Sequence, residues 1–181
     1  MAARIGHVHL KVSDLDRALE FYRGVIGLDL VQLVPGQVAF MAFGGYHHHV
    51  ALNVSQWRGA PPAPATHAGM LHAAFSYPSR QDLGAAYLRA VEAGVRNASG
   101  SDHGITEAIY FDDPDGNGVE ISWDCPPERW QYLDGGLNVA LGIPFDPNER
   151  FLGEVAVEPP ALPATADRDW QRPWTIGQGQ R

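Results

Sequence analysis

Hydrophobic positions along this chain follow two periods in turn, and the switch between them happens twice. Over RIGHVHLKV (4–12), Val8, Leu10 and Val12 share one face and His7, His9 and Lys11 the other, the two-residue period of a half-buried strand. From Leu15 the period becomes helical, with Leu15, Ala18, Leu19, Tyr22 and Val25/Ile26 on one side. Ser13 or Asp14 can cap that helix and Gly27 can stop it. LDLVQLV (28–34) and QVAFMAF (37–43) read as strands around a Pro35-Gly36 turn, and Gly44-Gly45 leads into a fourth strand, YHHHVALNV (46–54). A linker with Pro61, Pro62 and Pro64 follows, and then the order starts again. LHAAFSY (71–77) is a strand and Ser79 to Ala93 an amphipathic helix ended by Gly94. Strand-like runs follow around VRNAS (95–99), EAIYFDD (107–113) and GVEISW (118–123), the last two joined by the turn Pro114-Asp115-Gly116-Asn117-Gly118. The chain therefore predicts strand, helix and three strands, twice, at an offset of about 65–69 residues.

Aligning the two repeats by their strands pairs His7 with His72 and Ala51 with Glu120. Strand parity puts His7 and His9 on one face, and likewise His47, His49 and Ala51, His72, Ala74 and Ser76, and Glu120 and Ser122. The opposite faces are apolar and can pack on the two helices, so the polar faces are expected to line one concavity. Two imidazoles and a carboxylate converging there would leave coordination positions open, the donor set of non-haem Fe(II) oxygen chemistry. Mn(II) suits the same donors, and donor type alone admits zinc.

Composition narrows the alternatives. The chain has 181 residues, 45 % hydrophobic and 10 % aromatic, enough to bury a core, and carries 13 Lys+Arg against 21 Asp+Glu for a net charge of −8. That balance, with no basic run, argues against nucleic acid or an anionic membrane as partner. The one cysteine, Cys125, excludes an internal disulfide and a zinc ribbon. No apolar run approaches the roughly 20 residues of a membrane span, and MAARIGHVHL contains no separate signal-peptide core, so a cytoplasmic protein is expected. All eight histidines lie between His7 and His103. Residues 126–181 hold none, but hold 8 of the 14 prolines, with Trp130, Tyr132, Trp170 and Trp174. That tail reads either as an arm that docks on something, such as a second subunit, or as a partly ordered end.

GHVHLKVSDLDRALEFYRGVIGL, GGYHHHVALNV and DHGITEAIYFDDPDGNGVEISWD resemble the vicinal-oxygen-chelate superfamily, and within it the catechol 2,3-dioxygenase-like, type I extradiol branch. The resemblance covers about residues 4–130. It implies an α+β fold in which two βαβββ modules (4–55 and 70–125, joined by the linker 56–69) form one curled mixed sheet around a metal. This domain, residues 1–130, is followed by a Pro-rich C-terminal extension, 131–181. By the same resemblance His7, His72 and Glu120 are the iron ligands. His49, with His48 as the alternative register, stands beside the oxygen site, Tyr110 bonds a substrate hydroxyl, and His103 assists deprotonation. The implied function is extradiol ring cleavage of a catechol by Fe(II) and O₂ in aromatic hydrocarbon catabolism, in a homodimer. The alternatives are a glyoxalase-type lyase or isomerase and a non-catalytic antibiotic-binding protein. Glyoxalase I places a fourth ligand, a glutamate, where this chain has Ala51, and the binding proteins usually lack the metal ligands; both departures favour the oxygenase.

Overall fold

The computed structural model describes residues 3–139 and 142–152. β1 (Val8–Lys11) leads into α1 (Leu15–Phe21), capped by the Asp14 carboxylate, which accepts from the backbone N–H groups of Asp16 and Arg17. The helix runs on as a π-helical turn, Tyr22–Ile26, and Gly27 closes it at φ +87, a conformation that favours glycine. The turn buries Tyr22, Val25 and Ile26 together. β2 (Asp29–Val34), β3 (Val38–Ala42) and β4 (Val50–Asn53) complete the first module. The second repeats it as β5 (Ala73–Tyr77), α2 (Arg80–Glu92, capped by Ser79), β6 (Ser99–Asp102), β7 (Thr106–Asp112) and β8 (Gly118–Asp124). A small hairpin, β9 (Tyr132–Leu133) with β10 (Gly136–Leu137), then precedes β11 (Ile143–Phe145) and a last π-helical turn, Asn148–Leu152.

The architecture is α+β with curled, unclosed sheets. The strands are hydrogen-bonded as two sheets, one per module, in the orders β1-β4-β3-β2 and β11-β6-β7-β8-β5. The repeat extends to pairing: β1 runs parallel to β4 and β5 parallel to β8, while the other neighbours are antiparallel. Parity holds as predicted. Leu10, Met41, Val50 and Leu52 from the first sheet and Phe75, Ile109, Val119 and Ile121 from the second meet both helices in one core. Polar ties cross between modules: the Tyr22 hydroxyl donates to Asp113 at 3.0 Å, and Arg17 pairs with Asp115 at 2.8 Å.

Two elements start later than the sequence predicts. His47, His48 and His49 precede β4, because Gly44 and Gly45, both at positive φ, carry the chain around before pairing begins at Val50. The strand expected near residues 95–99 forms instead at β6, where Ser-Gly-Ser-Asp gives no alternation to read. The described part of the tail docks on its own second module: β11 adds to the sheet beyond β6, and Phe151 is fully buried. Trp170 and Trp174 lie outside the described residues. Among those described, no helix is long and apolar enough to cross a membrane.

Candidate functional site

One glycine shapes the second module's polar face. A side chain at Gly118, the first residue of β8, would run into the Leu71 carbonyl and the His72 backbone, so only glycine lets the linker's end lie against β8. His72 is thereby delivered to Glu120. Its Nε2 lies 2.8 Å from Glu120 Oε2, and its ring stands 5.4 Å from that of Tyr110, the residue opposite Glu120 on β7. The Tyr110 hydroxyl in turn lies 2.9 Å from His103 Nε2. Four residues, from the linker's end, β7, β8 and the turn after β6, thus form one connected polar group.

Its electrostatics are those of a carboxylate short of positive charge. Burial raises the Glu120 carboxyl above its ordinary range, opposed by the imidazoles of His72 and His103. Burial also raises the Tyr110 phenol, reinforced by Glu120. A cation beside Glu120 would offset the burial cost, and imidazole plus carboxylate is a donor pair that divalent transition metals accept. His72 and Glu120 therefore fit such an ion.

The first module holds the remaining histidines. His7 stacks against His48 at 4.3 Å between ring centroids, and His48 also meets Phe40 and His47. Desolvation, then the neighbouring His7, His47, His9 and His49, hold the His48 imidazole below its ordinary value. His49 Nδ1 accepts from the Phe43 backbone N–H at 3.2 Å, which leaves the ring proton on Nε2 as a donor. His47 packs on Tyr46, and His67 is exposed in the linker. Among the described residues no group of three His, Cys, Asp or Glu stands close enough to hold an ion within one chain. The structure thus brings together His72, Glu120, Tyr110 and His103, and places His7, His48 and His49 on the other module. Burial pushes the Cys125 thiol up, away from nucleophile chemistry. Gly142, beside His103, gave no signal in the sequence, since it lies in the Pro-rich extension.

Residues 4–121 match the Glyoxalase/Bleomycin resistance protein/Dioxygenase superfamily. The chain belongs to that superfamily. Two curated relatives are similar to this superfamily member. Catechol-2,3-dioxygenase of Bacillus subtilis (strain 168) is 36 % identical over 128 residues, covering 70 % of this chain and 44 % of the relative, so the chain spans less than half of that protein. Biphenyl-2,3-diol 1,2-dioxygenase 3 of Rhodococcus globerulus is 32 % identical over 149 residues, covering 80 % of this chain and 78 % of the relative. Among solved structures, lactoylglutathione lyase from Agrobacterium tumefaciens superimposes with a TM-score of 0.51 at 25 % identity, over 67 % of this chain and 94 % of that one. The superfamily's members thus include dioxygenases and a lyase.

Proposed function

We propose that this superfamily member is an extradiol dioxygenase that opens a catecholic ring next to its hydroxyls with Fe(II) and O₂. The clustering of the His72–Glu120 and Tyr110–His103 pairs, with His72 beside Tyr110, is the observation that carries the reading. Names of the relatives point the same way, since two are dioxygenases of aromatic diols. His7, His72 and Glu120 would hold the metal, with Mn(II) as the other ion the donors suit. Bound iron would supply a meeting point for catechol and O₂ and the electron transfer between them. Tyr110, kept protonated by its surroundings, gives its hydroxyl hydrogen to His103 Nε2 and accepts a hydrogen bond from a substrate hydroxyl, which orients the ring. His103 Nε2, hydrogen-bonded to that phenol, takes up the proton a catechol releases on binding. His49, whose Nδ1 is held by the Phe43 backbone N–H, would use Nε2–H to stabilise developing negative charge and return a proton late in the reaction.

Because one chain does not gather His7 with His72 and Glu120, the reading includes a homodimer in which the partner subunit's His7 completes the set. Co-assembly of His7→Ala and Glu120→Ala chains tests it. One intact site in each mixed dimer restores about a quarter of wild-type turnover, whereas a site built within one chain gives none. A lyase reading has the Agrobacterium enzyme's likeness in its favour, but Ala51 is fully buried where that chemistry would need a fourth carboxylate. Oxygen uptake and yellow product from catechol, with iron-loaded protein, decide between them; isomerase turnover without oxygen uptake overturns the dioxygenase. The setting proposed is cytoplasmic breakdown of aromatic compounds.

A further inference from the structure

The superfamily match ends at residue 121, yet the chain continues into a segment anchored on the strand leading into His103 and on α2. Without β11, β6 would be an edge strand of four small or polar residues. Its core face is filled from outside: the Phe145 ring lies over Gly100, in space that a side chain at 100 would occupy. Arg150 stacks on Phe145 at 4.0 Å, and Arg129 and Arg150 both reach Asp102 at 3.6 Å and Glu107 at 3.7 Å. Farther along, Phe151 is buried beneath Arg80, and the Tyr87 hydroxyl bonds Asn148 at 2.9 Å. Anchored there, the segment passes the imidazole at Gly142. A Cβ on Gly142 would stand 3.8 Å from His103 Cε1, 3.9 Å from its Nδ1 and 3.3 Å from Ser101 Oγ.

We propose that the segment 142–152 is a strap that positions His103, passing at Gly142 beside the imidazole whose Nε2 meets the Tyr110 hydroxyl. Gly100 admits the Phe145 anchor, and Gly142 is where the strap passes the ring. The chemical consequence rests on the ring-cleavage reading, in which His103 takes the substrate's proton. The positioning itself does not. Gly142→Ala fits, because 3.8 Å is ordinary contact and the Ser101 hydroxyl can rotate. Gly142→Val adds branches beside the ring that should press the imidazole away from Tyr110.

The test follows the His103 Cε1–H NMR signal in metal-free protein, identified by its loss in His103→Gln, together with kcat and KM on catechol for the iron-loaded enzyme. Gly142→Val should shift that signal and lower kcat about tenfold or more with KM within about twofold; Gly142→Ala should restore both. Phe145→Ala should broaden or shift the same signal by releasing the anchor. A folded Gly142→Val protein with an unmoved His103 signal and unchanged kcat overturns the strap. If that variant does not fold, an unmoved signal in Phe145→Ala does so. Should the wild type turn over no catechol, the ring-cleavage reading fails, and the NMR comparison still decides the strap.

Discussion

At the position where the second module carries Glu120 on β8, the first carries Ala51 on β4, and the polar faces around them differ in kind. Around Glu120 the groups are mixed: a carboxylate paired with one imidazole and a phenol paired with another, the two pairs in ring contact. Around Ala51 they are imidazoles stacked on one another and on aromatic rings, with His9 opposite on β1 and Phe40 on β3. Duplication of a backbone plan has therefore left one half able to balance a cation's charge and the other able only to donate neutral nitrogen. The apolar faces show no such divergence, because both must fill the same core.

Exchanging the two positions gives the harshest test of that asymmetry. Glu120→Ala should abolish iron retention and cut ring cleavage at least about a hundredfold. Adding Ala51→Glu to it should restore no ring cleavage, since the first module offers no Tyr110–His103 pair; oxygen uptake on both variants checks this. Next in size is Tyr110→Phe, which keeps the ring and removes the hydroxyl that faces His103. It should lower kcat about a hundredfold while iron content stays at the wild-type level, which would separate proton handling from metal binding within the same module.

Coupling between the modules should yield a smaller, thermodynamic effect. Tyr22→Phe leaves the buried Asp113 carboxylate without its partner across the module boundary and should destabilise the protein by about 1–3 kcal/mol in denaturant unfolding. Alkaline pH probes the same boundary more gently. Burial raises the Tyr22 phenol and pushes Tyr77, whose hydroxyl donates to the Ile26 carbonyl, up to about 12. A raised folded value favours the protonated, folded protein, so that stability is complete below the unfolded value of 10.0 and drains away as pH rises toward about 12. Tyr77 adds at most about 1.4 kcal/mol of loss per pH unit over that window, and Tyr77→Phe should flatten the slope in a pH series of melting curves.

Much of this was legible in the sequence where side chains obey a period. Alternation through Val8–Val12 and Val119–Trp123 gives both the strands and their buried faces, and the repeat gives the order of elements; the parallel pairing of β1 with β4 and of β5 with β8 comes from the fold. His72, Glu120, Tyr110 and His103 were singled out and do stand together. What escaped depends on contacts far apart in the chain. Parity puts His7 and His72 on polar faces without saying how the two sheets lie relative to each other. His48 against His7, and His49 tied to the Phe43 backbone, follow from a two-glycine turn whose path no period encodes. The position of β6 depends on a phenylalanine 45 residues further on, and Gly100 carries no pattern that announces it.

Tyr22 and Asp113, 91 residues apart in sequence, bear on how the protein comes apart as well as on how it is held. A contact of that span closes a loop through more than half of the described chain, and the core around it draws side chains from both helices and both sheets. Neither repeat keeps a hydrophobic interior of its own that could survive loss of the other. The duplicated halves therefore form one cooperative unit, and protection against amide exchange should vanish from both in a single step.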